Sequence, residues 1–171
     1  MRILNAGCGK DTYGTHFVDF YPYRKNVIKC SLDEEKLPFE DNFFDQVYGA
    51  QVFEHLTNPL WFLKEARRVL KKNGELVLIT DNAGFYGLFT DTHHGQYENW
   101  RKKQGVTEDR HYALFTPHHL KNWLRKAGFK EIKVISFVNT RNTFLLHAGF
   151  YKMLSLISKR FYPQLKAIAK K

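Results

Sequence analysis

Residues 75–80 read Glu-Leu-Val-Leu-Ile-Thr, a near-continuous apolar run suited to a strand buried on both faces. A strand of that kind needs neighbours in a sheet and cover above and below it, which points to a layered α/β fold. The residues before it form an amphipathic helix. Asn58-Pro59 supplies an N-cap followed by proline at the first helical position. Leu60, Leu63, Ala66, Val69 and Leu70 then recur at three- and four-residue spacing, and Asn73-Gly74 is expected to end the helix, with Gly74 in the left-handed position. The same punctuation returns later. Thr116 caps, Pro117 follows, Leu120, Trp123, Leu124 and Ala127 face inward, and Gly128 stops the helix.

Short β-type runs at Arg2–Asn5, His16–Phe20, Val27–Cys30 and Gln46–Ala50 complete an alternation of strands and helices, the pattern of a largely parallel sheet. Ile132–Phe137 and Thr143–His147, separated by a polar stretch around Asn139–Asn142, predict a closing antiparallel pair. Two connections are short. About ten residues join the first strand to the second and about six join the second to the third, whereas a parallel crossover takes a dozen or more. Either crossover helices are reduced to loops, or the third strand is misplaced.

A chain of 171 residues suits one domain with one core. No apolar run reaches the ~18–20 residues of a membrane span, and no basic-then-apolar leader opens the chain. Cys8 and Cys30 do not make a disulfide framework, so a reducing, cytoplasmic setting is expected. The charge is uneven. Residues 1–98 hold 11 Lys and Arg against 14 Asp and Glu, a balance of −3; residues 99–171 hold 16 against 3, a balance of +13. Such asymmetry points to an anionic partner (nucleic acid, a membrane surface or a phosphorylated substrate), with plain solubility as the alternative.

The first strand runs into Asn5-Ala6-Gly7-Cys8-Gly9, where glycines let a ligand approach the backbone at the carboxyl end of a strand. A dinucleotide fingerprint would need glycine at position 12, and Thr12 stands there, which argues against a nicotinamide cofactor. Asp19 ends the second strand, where a carboxylate can accept both ribose hydroxyls of a nucleoside. Further on come Leu37-Pro38-Phe39-Glu40-Asp41-Asn42-Phe43-Phe44-Asp45, then Glu54-His55-Leu56, then Arg68-Val69-Leu70-Lys71-Lys72-Asn73-Gly74. Taken in order, these motifs resemble the class I S-adenosylmethionine-dependent methyltransferases, in particular the type 11 group, over about residues 2–137. Phe115-Thr116-Pro117 through Ala127-Gly128-Phe129 also resembles that group's last helix and strand entry.

The resemblance implies a doubly wound, mostly parallel, seven-stranded Rossmann-like sheet with helices on both faces and S-adenosylmethionine across the strand ends. It places Ala6, Gly7, Cys8 and Gly9 under the methionine part and Asp19 on the ribose. Phe20, Ser31 and Leu32 fall beside the adenine, and Gln51 and Val52 near the methionine carboxylate or sulfonium. Three departures stand out. Asp11 replaces the group's third glycine, with Gly14 a displaced substitute. Ser31 replaces an acid. The glycine strand begins at residue 2, so the group's N-terminal covering helix is expected to be absent.

The resemblance further implies methyl transfer, an in-line displacement that depends on positioning. If the acceptor is a hydroxyl, histidine is the expected base, and His55, His93 and His111 are the candidates, with His94 beside them. Residues 81–115 follow the fifth strand as an acceptor-side insertion rich in aromatics. No Cys or His set shows metal-ligand spacing, and a metal is not expected. Residues 149–171 read as a separate basic amphipathic C-terminal helix. Phe150, Tyr151, Leu154, Ile157, Phe161, Leu165 and Ile168 lie on one side of it, and Pro163 breaks or kinks it. That helix would contact a membrane peripherally or cover the sheet in place of the N-terminal helix. The expected function is methylation of a small-molecule, sugar-linked or lipid-linked acceptor by a domain spanning 1–148. The alternatives are an RNA methyltransferase and a non-catalytic cofactor-binding protein.

Overall fold

The computed structural model describes residues 1–85, 111–137, 153, 156, 158 and 162–171. Their strands form one seven-stranded sheet: β1 (Ile3–Ala6), β2 (His16–Asp19), β3 (Val27–Lys29), β4 (Phe44–Ala50), β5 (Leu70–Asp81), β6 (Lys130–Phe137) and β7 (Gln164–Lys170). The spatial order is β3-β2-β1-β4-β5-β7-β6. All neighbours from β3 to β5 run parallel, and β7 is antiparallel to both β5 and β6. The strand order reverses between β1 and β4, so their carboxyl ends flank the crevice where open α/β sheets hold ligands.

The two short connections are loops, and the third strand lies where it was expected. The β1–β2 loop is held by side chains in place of a helix. Buried Asn5 donates through Nδ2 to the Tyr13 carbonyl at 2.9 Å, and Arg24 donates to the Asp11 carbonyl at 2.7 Å. Cys8, Phe17 and Val27 pack as a small cluster beneath this loop, and Arg24 lies over the Phe17 ring at 4.7 Å. Gly14 has φ +118°, and a Cβ there would lie 3.2 Å from the Ile3 carbonyl oxygen, so the loop runs tight against β1. Both cysteines are free and buried.

Helix α1 (Pro59–Val69) is capped by Asn58, whose side chain accepts from the Trp61 amide. Helix α2 (Pro117–Lys126) is capped by Thr116, which accepts from His119 at 3.2 Å. The two lie side by side: Arg67 Nε donates to the Gly128 carbonyl at 3.1 Å. Their apolar faces share the main core with Leu4, Val18, Val47, Leu76 and Leu78. A surface cleft of about 420 Å³ between them, lined by Leu60, Trp123 and Lys126, belongs to these helices and not to the strand ends.

Arg68 ties α1 to the segment before β4. Its guanidinium meets both oxygens of buried Glu65, Asp41 Oδ1 at 2.7 Å, and the carbonyls of Leu37 and Phe39, each at 2.9 Å. These partners hold its proton even more firmly than usual. The Leu-Pro-Phe motif and the end of α1 are thus one hydrogen-bonded unit.

Two of three expectations need correction, and the other falls partly outside the described residues. Helix α1 ends at Val69, not at Asn73-Gly74, because Leu70 already pairs with Phe44 as the start of β5. Asn73, at φ +64°, takes the left-handed position. Gly74 is needed for space, since a Cβ would fall 2.9 Å from the Lys71 carbonyl oxygen. Second, among the described residues β6 pairs antiparallel with β7, and the expected pairing partner Thr143–His147 lies outside the described residues.

Third, the end of the supposed C-terminal helix is a strand. Leu165, Ala167 and Ala169 are buried at alternate positions, which is a period of two, and β7 sits between β5 and β6. Residues 164–170 therefore belong to the sheet, and no domain boundary at 148/149 separates them from it. Leu165 and Ile168 are inside the sheet, and Phe150, Tyr151, Leu154, Ile157 and Phe161 lie outside the described residues. Part of the basic charge is structural too. Lys170 pairs with Glu75 at 3.2 Å, and Lys171 donates to Asn42 Oδ1 and to the carbonyls of Arg68 and Leu70. Among the described residues no helix is long and apolar enough to cross a membrane.

Candidate active site

The glycine loop leaves β1 with Gly7 at φ +68° and Gly9 at φ +49°, both left-handed. The amides of Gly7 and Cys8 donate to the Val18 carbonyl at 2.9 and 3.2 Å, which turns the loop over the end of β2. Asp19 completes it: Oδ2 accepts from the Gly9 amide at 2.7 Å and Oδ1 from the Tyr21 amide at 2.8 Å. A carboxylate has about four acceptor sites, so two remain for ribose hydroxyls. A Cβ added at Gly9 would meet nothing within 4 Å, so open space lies over the loop at Gly9. These residues fit a nucleoside cofactor.

Other expected contacts divide. Ala6 is fully buried in the main core and Leu32 is buried there too. Burial and the nearby Asp19 charge push the Cys8 thiol up, so it stays neutral. Phe20 is exposed at the rim, packed edge-on against Tyr21. Ser31 lacks the carboxylate common at its position, but Glu35 folds back so that Oε2 accepts from the Ser31 amide at 2.5 Å.

Beyond β4 the chain makes a sharp turn at Gln51, whose φ of +52° is unusual for a residue with a side chain. Its amide donates to the Ile79 carbonyl at 2.8 Å, and its side-chain Nε2 donates both to Glu54 Oε1 and, at 3.1 Å, to Asp81 Oδ1. Gln164, the first residue of β7, donates to Gln51 Oε1. The last strand thus reaches into the site. Val52 presses on the glycine loop: a Cβ at Gly7 would lie 2.2 Å from Val52 Cγ2.

A single 3₁₀ turn (Phe53–His55) follows. Glu54 is fully buried, and its Oε2 accepts from Thr80 Oγ1 at 2.8 Å. Burial and the neighbouring Asp81 charge raise its carboxyl above the ordinary range. The Glu54 carbonyl accepts the amides of Tyr112 and Ala113 at 2.9 and 3.2 Å, which brings His111 to the turn. The His55 and His111 rings meet edge to face with centroids 4.6 Å apart, and His111 Nδ1 lies 3.2 Å from Asp81 Oδ2. Two of the three candidate histidines are therefore together. His93 lies outside the described residues, as does most of the 81–115 insertion. Sequence reading missed Glu54 and Asp81 as site groups. The signal was an acid inside an otherwise apolar turn and another ending a buried strand.

The sheet order and this crevice define a class I S-adenosylmethionine-dependent methyltransferase fold. Residues 1–134 match the family model described as "Methyltransferase domain", and the chain belongs to that family. Among solved structures, an S-adenosylmethionine-dependent methyltransferase from Mesorhizobium loti superposes with TM-score 0.66 at 18% identity, covering 99% of this chain and 90% of that one. Phosphoethanolamine N-methyltransferase 2 from Haemonchus contortus, in complex with S-adenosyl-L-methionine, superposes with TM-score 0.63 at 17% identity, covering 100% of this chain and 48% of that one. Among curated relatives, a tRNA U34 carboxymethyltransferase from Pseudomonas fluorescens is 29% identical, covering 78% of this chain and 47% of its own length. An uncharacterized protein from Methanocaldococcus jannaschii is 32% identical, covering 64% and 50%. The chain spans half or less of the length of these two relatives.

Proposed function

We propose that this chain transfers the methyl group of S-adenosylmethionine to an oxygen or nitrogen of a small-molecule acceptor, free or carried on a sugar or lipid. The observation that carries the reading is the contact of Val52 with the glycine loop, two residues before Glu54 in the polar cluster. The cofactor cradle and the cluster are thus linked through one rigid turn. Gly7, Cys8 and Gly9 would bear the cofactor's methionine part, Asp19 its ribose, and Phe20, Ser31 and Leu32 would border its adenine. The cofactor supplies an electrophilic methyl group on a sulfonium. Asp81 stands beside His111 and the two rings meet edge to face, so an acceptor brought to this cluster would find a histidine base there.

Asp19 gives a direct test. Asp19→Asn removes the charge that strengthens its bonds, and such bonds contribute about 1.5–3 kcal/mol each. Affinity for S-adenosylhomocysteine, measured by calorimetry, is expected to fall by about 10- to 100-fold, and the unfolding midpoint to fall as well, because the asparagine NH2 cannot accept from the Gly9 or Tyr21 amide. Unchanged affinity would remove Asp19 from the cofactor site.

A second reading, methylation of RNA, has its own support. The balance of +13 over residues 99–171 suits phosphate contacts, and several relatives are tRNA carboxymethyltransferases. Incubation with methyl-tritiated cofactor and separated small-molecule, lipid and RNA fractions distinguishes the two. Label is expected in a small-molecule or lipid product; label confined to RNA would establish the second reading instead.

A further inference from the structure

We propose that Glu54, His55 and His111 bind one divalent first-row transition-metal ion. One ligand atom from each lies within 4.8 Å of the other two, the arrangement of a carboxylate and two imidazoles around a single ion. Sequence spacing hides the set, because His111 joins the adjacent pair only through the amides of Tyr112 and Ala113 on the Glu54 carbonyl.

Two further features suit an ion. Asp81 stands 3.2 Å from Nδ1 of His111. A carboxylate beside the ring of a ligating histidine is the usual support of such a ligand. The Glu54 carboxylate is fully buried and accepts from Gln51 and Thr80, yet among the described residues it forms no ion pair with lysine or arginine. A cation is the partner that best offsets a buried carboxylate.

Three protein ligands leave at least one coordination position open. Resting on the methyltransferase reading, that position is for the acceptor's oxygen: the ion would ease loss of its proton to solvent water, and the oxygen would then take the methyl group as the S–CH3 bond breaks, leaving S-adenosylhomocysteine. The histidines then act as holders of the ion, and acceptor activation passes to the metal.

The whole 171-residue chain, stripped with a chelator, is titrated with Co²⁺ and followed by visible absorption and by calorimetry. Saturation at one ion per chain is expected. His55→Ala and His111→Ala should each weaken uptake by at least tenfold, and Asp81→Asn by about tenfold. His118→Ala, on α2, should leave it unchanged. Absence of saturable uptake overturns the proposal, as does uptake unaltered in the His55 and His111 variants. S-adenosylhomocysteine calorimetry on the same samples reports whether each variant is folded. Cofactor binding without metal uptake sinks the ion site alone. Metal uptake without cofactor binding sustains the ion site and faults the methyltransferase reading.

Discussion

Gly7→Ala is expected to abolish measurable cofactor binding and to lower stability by about 2–5 kcal/mol. Two costs add. An L-residue in the left-handed region costs about 1–2 kcal/mol, and overpacking at a tight contact costs about 1–3 kcal/mol. Both apply here, since Gly7 has φ +68° and its added Cβ would lie 2.2 Å from Val52 Cγ2 and 2.7 Å from Val52 Cβ. The loop must move to relieve the contact, and its bonds to Val18 and Asp19 move with it. Combining Gly7→Ala with Val52→Ala separates the terms. The double variant should regain the packing part of the stability and keep the backbone part. Urea unfolding and calorimetry with S-adenosylhomocysteine measure both effects. Wild-type binding by the single variant would show that this loop does not form the cofactor site.

Arg68→Ala has the next largest expected effect. Removing one partner of a buried ion pair costs about 3–5 kcal/mol. Arg68 is 23% exposed and Glu65 9%, so some solvent screening applies and a loss of about 2–4 kcal/mol is expected. The change strands a buried carboxylate and two carbonyls together. Arg68→Lys should recover only a small part, because one ammonium cannot reach Glu65, Asp41 and both carbonyls at once. Chemical denaturation gives the value, and a loss below about 1 kcal/mol would contradict the role assigned to this unit.

Much of the fold was legible because its signals are local. Asn58-Pro59 and Thr116-Pro117 mark helix starts by satisfying amides within one turn. The glycine loop and Asp19 are close in sequence, so their meeting across β1 and β2 follows from the parallel pairing. The missed features share one physical cause. Leu165 and Ile168 have helical spacing, and Leu165, Ala167 and Ala169 have strand spacing. Only the gap between β5 and β6 chooses between them. Leu70 likewise has a helical place in the apolar pattern but is drawn into β5 by pairing with Phe44.

The sequence by itself determined the parallel core, its two capped helices and the glycine–aspartate cradle, because propensity, capping and short-range spacing act within a few residues. Tertiary structure alone decided that the chain's end is a strand inside the sheet, and that Gln164 reaches Gln51. It also decided that Glu54, His55, Asp81 and His111 converge. Those outcomes depend on which distant backbone groups pair, and the local spacing is compatible with more than one such pairing.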